Sequence, residues 1–162
     1  MNERPQPTPI PAPVAPVVPP EAPKPSRREL LHKAALEALG LDISPDDNAP
    51  DDVACVESFC AVAQEVLPFP PLLYTPDLKR HFDYSIDWKQ TDVAKPGNVI
   101  LSVTGTGNGT IRGHVGIFDT LGFIMSNDSA NGKWTKNYNL TQWVRRFRDI
   151  GGMRVFFYEL QG

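Results

Sequence analysis

Prolines are concentrated at the N-terminus of this 162-residue chain, and this limits which part of it can fold. Ten of the 17 prolines lie between Pro5 and Pro25. Because proline lacks a backbone N–H and fixes φ, such a segment builds neither helix nor sheet and favours an extended polyproline II conformation. The sequence therefore predicts a disordered, proline-rich arm over residues 1–25 and one folded domain over residues 26–162. The arm is either a tether to another protein or particle, or a spacer.

Charge, hydropathy and cysteine content exclude several classes of protein. A net charge of −3 gives no basic surface for nucleic acid. No apolar run approaches the roughly 18 residues that span a bilayer, and the first residues lack the pattern of a secretory signal. Two cysteines cannot build a disulfide framework, and no residue spacing suggests zinc. We therefore expect a protein made in the cytoplasm, without a membrane-spanning segment, metal or cofactor.

The rest of the sequence predicts helices followed by strands. Ser26 and Glu29 have the spacing of a capping box at the start of a first helix. A second helix, capped by Asp51 or Asp52 and running to about residue 66, is apolar on most sides. Later apolar runs, bounded by glycines and polar turns, predict four strands, at 99–103, 115–118, 123–125 and 153–158. A short helix is predicted at 143–147, between the last two strands. The pattern indicates an α+β fold, with N-terminal helices packed on a small, mostly antiparallel sheet.

The two cysteines lie at different places on the second predicted helix. Cys60 is on its apolar stripe and is expected to pack as a small hydrophobic residue. Cys55 is predicted to lie in the first turn, where unpaired N–H groups and the helix dipole favour a thiolate. Asp51 and Asp52 oppose a second negative charge there. Cys55 is therefore a candidate nucleophile, with a structural role as the alternative, and a partner histidine has to decide between them.

One of the three histidines has a setting that suits catalysis. His114 begins an apolar strand and lies between Gly113 and Gly116, which leave space for a substrate or for another backbone. His32 and His81 lie in polar stretches and are expected to be exposed. A cysteine that attacks and a histidine that moves the proton are the two essentials of thiol-dependent acyl transfer.

A hairpin count supplies a third candidate. A four-residue loop, 119–122, would pair Phe118 with Phe123 and place Asn127 opposite His114. Side chains at opposite positions lie about 5 Å apart, so Asn127 could orient the imidazole. A register slip of one residue would present Ser126 or Asp128 instead.

Three blocks of the sequence carry a family resemblance: Asp52-Val53-Ala54-Cys55-Val56-Glu57-Ser58, Lys95-Pro96-Gly97-Asn98-Val99-Ile100 and Gly113-His114-Val115-Gly116-Ile117. Together they resemble the cysteine, histidine-dependent amidohydrolase/peptidase (CHAP) domains, and the likeness extends over roughly residues 50–160. The resemblance implies a papain-like fold with Cys55 as the nucleophile and His114 as the base. The chain differs from the family at Asn98, where aspartate is usual, and at Asn127, where many members use glutamate.

The same resemblance implies a function. CHAP domains of this type are peptidoglycan hydrolases of phages and prophages, so the expected activity is that of an N-acetylmuramoyl-L-alanine amidase or endopeptidase. Such a lysin reaches the wall through a holin-permeabilised membrane or in the phage particle. Trp134 and Tyr138 could line a groove for glycan or stem peptide, or simply pack at a sheet edge. The alternatives are a non-catalytic phage structural or wall-binding module of the same fold, and a papain-like acyltransferase or toxin.

Overall fold

The computed structural model describes residue 15 and residues 17–45 and 50–162. Most of the predicted proline-rich arm, residues 1–14 and 16, therefore lies outside the described residues. Residues 17–25 of the arm are exposed and belong to neither a helix nor a strand. The first helix begins directly after Ser26, which is its N-cap.

The described residues form helices α1 (Arg27–Glu37), α2 (Asp51–Gln64), α3 (Thr75–Tyr84) and α4 (Leu140–Trp143), a π-helix at Val144–Ile150 and a 3₁₀ turn at Thr120–Gly122. The capping box of α1 is confirmed, since the Ser26 hydroxyl accepts from the Glu29 amide and the Glu29 carboxylate accepts from the Ser26 amide. At α2 the predicted aspartate cap is wrong: Pro50 occupies the N-cap position, and its carbonyl accepts from Val53 and Ala54. None of these helices is long and apolar enough to cross a membrane.

Six strands form one sheet, and every pair in it is antiparallel. They are β1 (Trp88–Thr91), β2 (Val99–Ser102), β3 (His114–Phe118), β4 (Phe123–Asp128), β5 (Lys133–Asn139) and β6 (Val155–Leu160). Their order across the sheet is β1-β6-β2-β3-β4-β5. The predicted α+β class is confirmed, whereas α3, β1 and β5 are additional to the predicted elements.

Alternation along the strands sends side chains to both faces of the sheet. On one face, Val115 and Ile117 of β3 belong to the larger apolar cluster, which also holds buried residues of α1, α2 and α3. On the other face, Phe118 belongs to a smaller cluster with Trp143 and Phe147. The start of β3 therefore lies between the three N-terminal helices and the short helical segment at 140–150.

The Pro-Gly-Asn block and the Gly-His-Val-Gly-Ile block of the sequence meet in the fold. Gly97 has φ +85°, and a Cβ there would lie 2.3 Å from the carbonyl oxygen of Arg28, so only glycine fits. The Gly97 amide donates to the Phe118 carbonyl at the end of β3, and the Phe118 amide donates to the Asn98 carbonyl, at 2.8 Å each. The buried Asn98 side chain donates to the Val93 carbonyl at 2.8 Å. This turn fixes β2 against β3.

Candidate functional site

A cleft of about 420 Å³ opens where β3 begins and β4 ends. Its wall is largely polar and includes three of the residues singled out from the sequence, His114, Asn127 and Tyr138. The full set of lining residues is Thr110, Ile111, Arg112, Gly113, His114, Asn127, Asp128, Ser129, Asn137, Tyr138, Arg146 and Phe147. The volume lies within the range of small-ligand and substrate sites, while the wall is more polar than is usual for them.

A chain of hydrogen bonds orients the imidazole of His114. Its Nε2 lies 3.0 Å from the Ser126 hydroxyl, which donates to Oδ1 of Asn137 at 2.6 Å. The Asn137 amide in turn donates to the backbone carbonyl of Asn127 at 3.4 Å. Because Ser126 uses its single hydrogen on Asn137, it can only accept from His114. In this arrangement Nε2 carries the hydrogen, and the lone pair of the neutral ring is on Nδ1.

Aromatic side chains from the 140–150 segment enclose the same imidazole. The ring of Phe147 stacks on His114 at 5.7 Å between centroids with an interplanar angle of 15°, and the Trp143 ring lies 5.4 Å away. The indole N–H of Trp143 donates to the Ser102 hydroxyl at 2.9 Å, which holds Trp143 in place. Tyr138 closes the third side at 5.9 Å. The imidazole is thus fixed in orientation by its neighbours before any ligand binds.

This environment determines the charge of His114. Burial is the main reason that its pKa falls to about 4, and the nearby positive charge of Arg146 lowers it further. The Asn127 carbonyl and the Asp128 charge act in the opposite direction. At neutral pH the ring is therefore neutral and able to accept a proton, although as a weak base.

The predicted hairpin register is wrong by one residue. Phe118 pairs with Ile124 instead of Phe123, because the turn takes five residues: the Asp119 amide bonds to the Phe123 carbonyl, and Leu121 adopts φ +67°. Continued along the strands, this register aligns Asp128, and no longer Asn127, with the first residue of β3.

As a result, the expected contact between the Asn127 and His114 side chains is not formed. The Asn127 side chain points towards α2, where its Oδ1 accepts from the Ser58 hydroxyl at 3.4 Å. Ser126, one of the two residues expected beside His114 after a one-residue register shift, is hydrogen-bonded to the imidazole instead. Asn127 still contributes to the site in two ways: its backbone carbonyl accepts from the Asn137 side chain, and its own side chain joins the site to Ser58 of α2.

A β-bulge supplies a residue that the sequence did not reveal. Between β4 and β5, Ile124 pairs with Tyr138 and Met125 with Lys136, so that Asn137 is left over. A bulge reverses the alternation of side chains along a strand and often re-aims them next to functional sites. Here it turns Asn137 towards Ser126 and Tyr138 towards the cleft. Asparagine at a strand interior is the only sequence signal that could have suggested it.

The same bulge explains why the two predicted groove aromatics separate. Trp134 is fully buried on the face of α1, and its indole N–H donates to the Ala35 carbonyl at 3.1 Å. Of the two alternatives for Trp134, the structure therefore shows packing, and this residue does not line the cleft. Tyr138, beyond the bulge, does line the cleft.

Cys55, the candidate nucleophile, does not line the cleft. Its side chain is fully buried in the larger apolar cluster. Because α2 begins at Asp51, Cys55 is the fifth helical residue, so its amide lies beyond the four unpaired N–H groups of the first turn. One turn later, Ser58 bonds to Asn127, which does line the cleft. Cys60 is buried as predicted, and burial raises the pKa of its thiol to about 11.

The other two histidines are less exposed than predicted and lie outside the cleft. His32 bonds to the carboxylate of Asp119 at 2.7 Å. The His81 ring packs against Phe69 at 4.6 Å, and burial lowers its pKa. In the part of the chain that the structure describes, no three His, Cys, Asp or Glu side chains are grouped so that they could hold a metal ion.

In comparisons with known proteins, the chain matches no protein-family model and no curated protein. The resemblance to CHAP domains therefore stays a prediction from the sequence blocks.

Proposed function

We propose that the protein is a papain-like cysteine hydrolase that cleaves an amide bond of bacterial peptidoglycan, with Cys55 as the nucleophile and His114 as the base. The observation that supports this best is the orientation of His114 at an open cleft. Ser126 engages Nε2–H, so Nδ1 is the nitrogen left to accept a proton from a thiol. A neutral, pre-oriented imidazole is what the first step of such a reaction requires.

The proposed chemistry uses the residues as follows. His114 takes the proton of the Cys55 thiol, and the sulfur attacks the amide carbonyl carbon. The C–N bond then breaks, His114 protonates the leaving amine, and a thioester remains. Water, deprotonated by His114, hydrolyses the thioester to a carboxylic acid and restores the thiol. Ser126 and Asn137 orient the imidazole, while Asn127 is a positioning residue that links the site to α2.

The place of action follows from the substrate. A peptidoglycan hydrolase acts on the cell wall, outside the cytoplasm. We infer that this protein reaches the wall through a holin-permeabilised membrane or in a phage particle.

A second function, a non-catalytic wall-binding module of the same fold, is favoured by two observations. The Cys55 side chain is fully buried, so attack on a substrate requires the start of α2 to move. The pKa of His114 is about 4, which makes it a weak base at neutral pH. Binding in the cleft requires neither group to react.

Lysis assays on purified peptidoglycan distinguish the two functions. We expect release of soluble fragments by the unmodified protein and by Cys60→Ala, because Cys60 is a packing residue outside the cleft. Cys55→Ala and His114→Ala should lose roughly a hundredfold or more of this activity, the range found for nucleophile and acid–base residues.

Three other results would each contradict the hydrolase. Peptidoglycan binding without lysis, unchanged in Cys55→Ala, would identify the binding module. Turnover of an acyl substrate unrelated to the wall would identify an acyltransferase or toxin. Neither binding nor lysis on any wall chemotype would remove peptidoglycan from the proposal altogether.

A further inference from the structure

Among the charged groups of the cleft, Arg146 stands out because its charge is not balanced by a neighbour. Within the described residues it has no ion pair, whereas Arg148 on the same helical segment pairs with Asp149. The one carboxylate of the cleft, Asp128, is occupied by its own turn: it accepts from the Ala130 amide and from the Asn131 side chain. Because its wall carries two guanidinium groups, Arg112 and Arg146, and one carboxylate, the cleft has a net positive charge.

Arg146 is also placed close to the imidazole. Its guanidinium lies over the Phe147 ring at 5.7 Å, and that ring stacks on His114. The two side chains interact electrostatically, since the positive charge of Arg146 lowers the pKa of His114. A group bound to the guanidinium would lie beside the atoms that the proposed reaction uses. Packing on an aromatic ring also limits the freedom of the long side chain, which reduces the entropy lost on binding.

We propose that Arg146 binds a carboxylate of the peptide in the cleft, so that the site selects stem peptides with free carboxylates over their carboxamide forms. This inference rests on the proposed peptidoglycan substrate. A guanidinium can hold a carboxylate through two parallel hydrogen bonds, which a neutral carboxamide cannot reproduce because one of its two atoms is a donor. The polar groups around it, Asn137 and Tyr138, are suited to the amides of the peptide backbone.

The test measures binding by titration calorimetry to the full chain carrying Cys55→Ala, which prevents turnover. The probes are a soluble muramoyl pentapeptide with free carboxylates and the same compound with every carboxylate converted to a carboxamide. We expect the acid form to bind about tenfold more tightly, the typical effect of one charge-assisted contact at a partly exposed site. Arg146→Gln should abolish this preference. Arg145→Gln, a neighbouring arginine that lines a different cavity, should keep it.

A second readout does not depend on the variant. Carboxylate binding should offset the positive charge of Arg146, so the pKa of His114, followed by NMR of its ring protons, should rise when the acid peptide binds and not when the amide binds. Equal affinity for the two peptides, or a preference that survives in Arg146→Gln, would overturn this inference and leave the proposed function standing. If neither peptide binds while the unmodified protein lyses peptidoglycan, only this inference is overturned; if binding and lysis are both absent, the proposed function is overturned as well.

Discussion

Asp119 offers a quantitative test of the fold that does not depend on the proposed function. This residue follows β3, and its carboxylate is 2% exposed. One oxygen lies 2.7 Å from Nε2 of His32 on α1, and the other lies 2.5 Å from the ammonium of Lys136 on β5. The carboxylate thus joins a helix, a turn and a strand that are far apart in sequence. Replacing it with asparagine keeps the shape of the side chain and removes the charge.

The size of the effect follows from the pKa of Asp119. Burial alone would raise this pKa, but the hydrogen bonds from Lys136 and His32 outweigh it and lower the value from 3.8 to about 2. A decrease of this size corresponds to about 2 kcal/mol of folding free energy. Because the pKa is lower in the folded protein, this contribution is fully present above pH 4 and is lost as the pH falls towards 2.

Urea unfolding of Asp119→Asn and the unmodified protein measures this contribution. At pH 7 we expect the variant to be less stable by about 2 kcal/mol, and at pH 3 the difference should narrow by about 1 kcal/mol. Asp77→Asn is the matched control, since its ion pair with Arg80 is solvent-exposed and should contribute less than about 1 kcal/mol. A loss at Asp119 no larger than that of the control, or one that does not change between pH 7 and pH 3, would refute the reasoning.

Two further substitutions test the packing next to the cleft. Asn98→Asp replaces the amide that donates to the Val93 carbonyl with a buried carboxylate. We expect the free energy of unfolding, measured in urea, to fall by about 2–4 kcal/mol at pH 7 and to recover in part at pH 4.5, where more of the carboxylate is protonated. Equal stability of the variant at both pH values would contradict this. Gly116→Ala places a Cβ 2.5 Å from a methyl group of Ile124 and 2.9 Å from the Met125 carbonyl, and should lower the unfolding free energy by about 1–3 kcal/mol. An unchanged melting temperature would show that the β3–β4 contact is looser than described.

The parts of the fold that the sequence predicted are those determined by local signals. The capping box of Ser26 and Glu29 involves residues three apart, and the structure forms it. The apolar run at 115–118 predicts a strand, and these residues lie within β3. Helix α3, which is absent from the prediction, has a local signal in Pro76 in its first turn and Leu78 on its buried side.

The arrangement of the site depended on features that short patterns do not encode. The register of β3 on β4 is set by one extra residue in the turn, with Leu121 in the left-handed region that non-glycine residues rarely adopt. The identity of the second polar residue behind His114 depends on a bulge that leaves Asn137 unpaired. Each feature shifts the strand pairing by one residue and so turns the following side chains to the opposite face of the sheet. Counting residues along the sequence predicts neither shift. The contact between His32 and Asp119 joins residues 87 positions apart and was equally inaccessible.

The position of β6 has a consequence for how the protein is made. This strand is synthesised after the other five, yet it lies inside the sheet, between β1 and β2. Until β6 has emerged from the ribosome, β1 has no strand to pair with and the backbone of β2 is open along one edge. The sheet therefore cannot be completed while the preceding strands are being synthesised. A nascent chain stalled before residue 155 should expose strand edges with unpaired backbone N–H and C=O groups, which chaperones or other copies of the chain can bind.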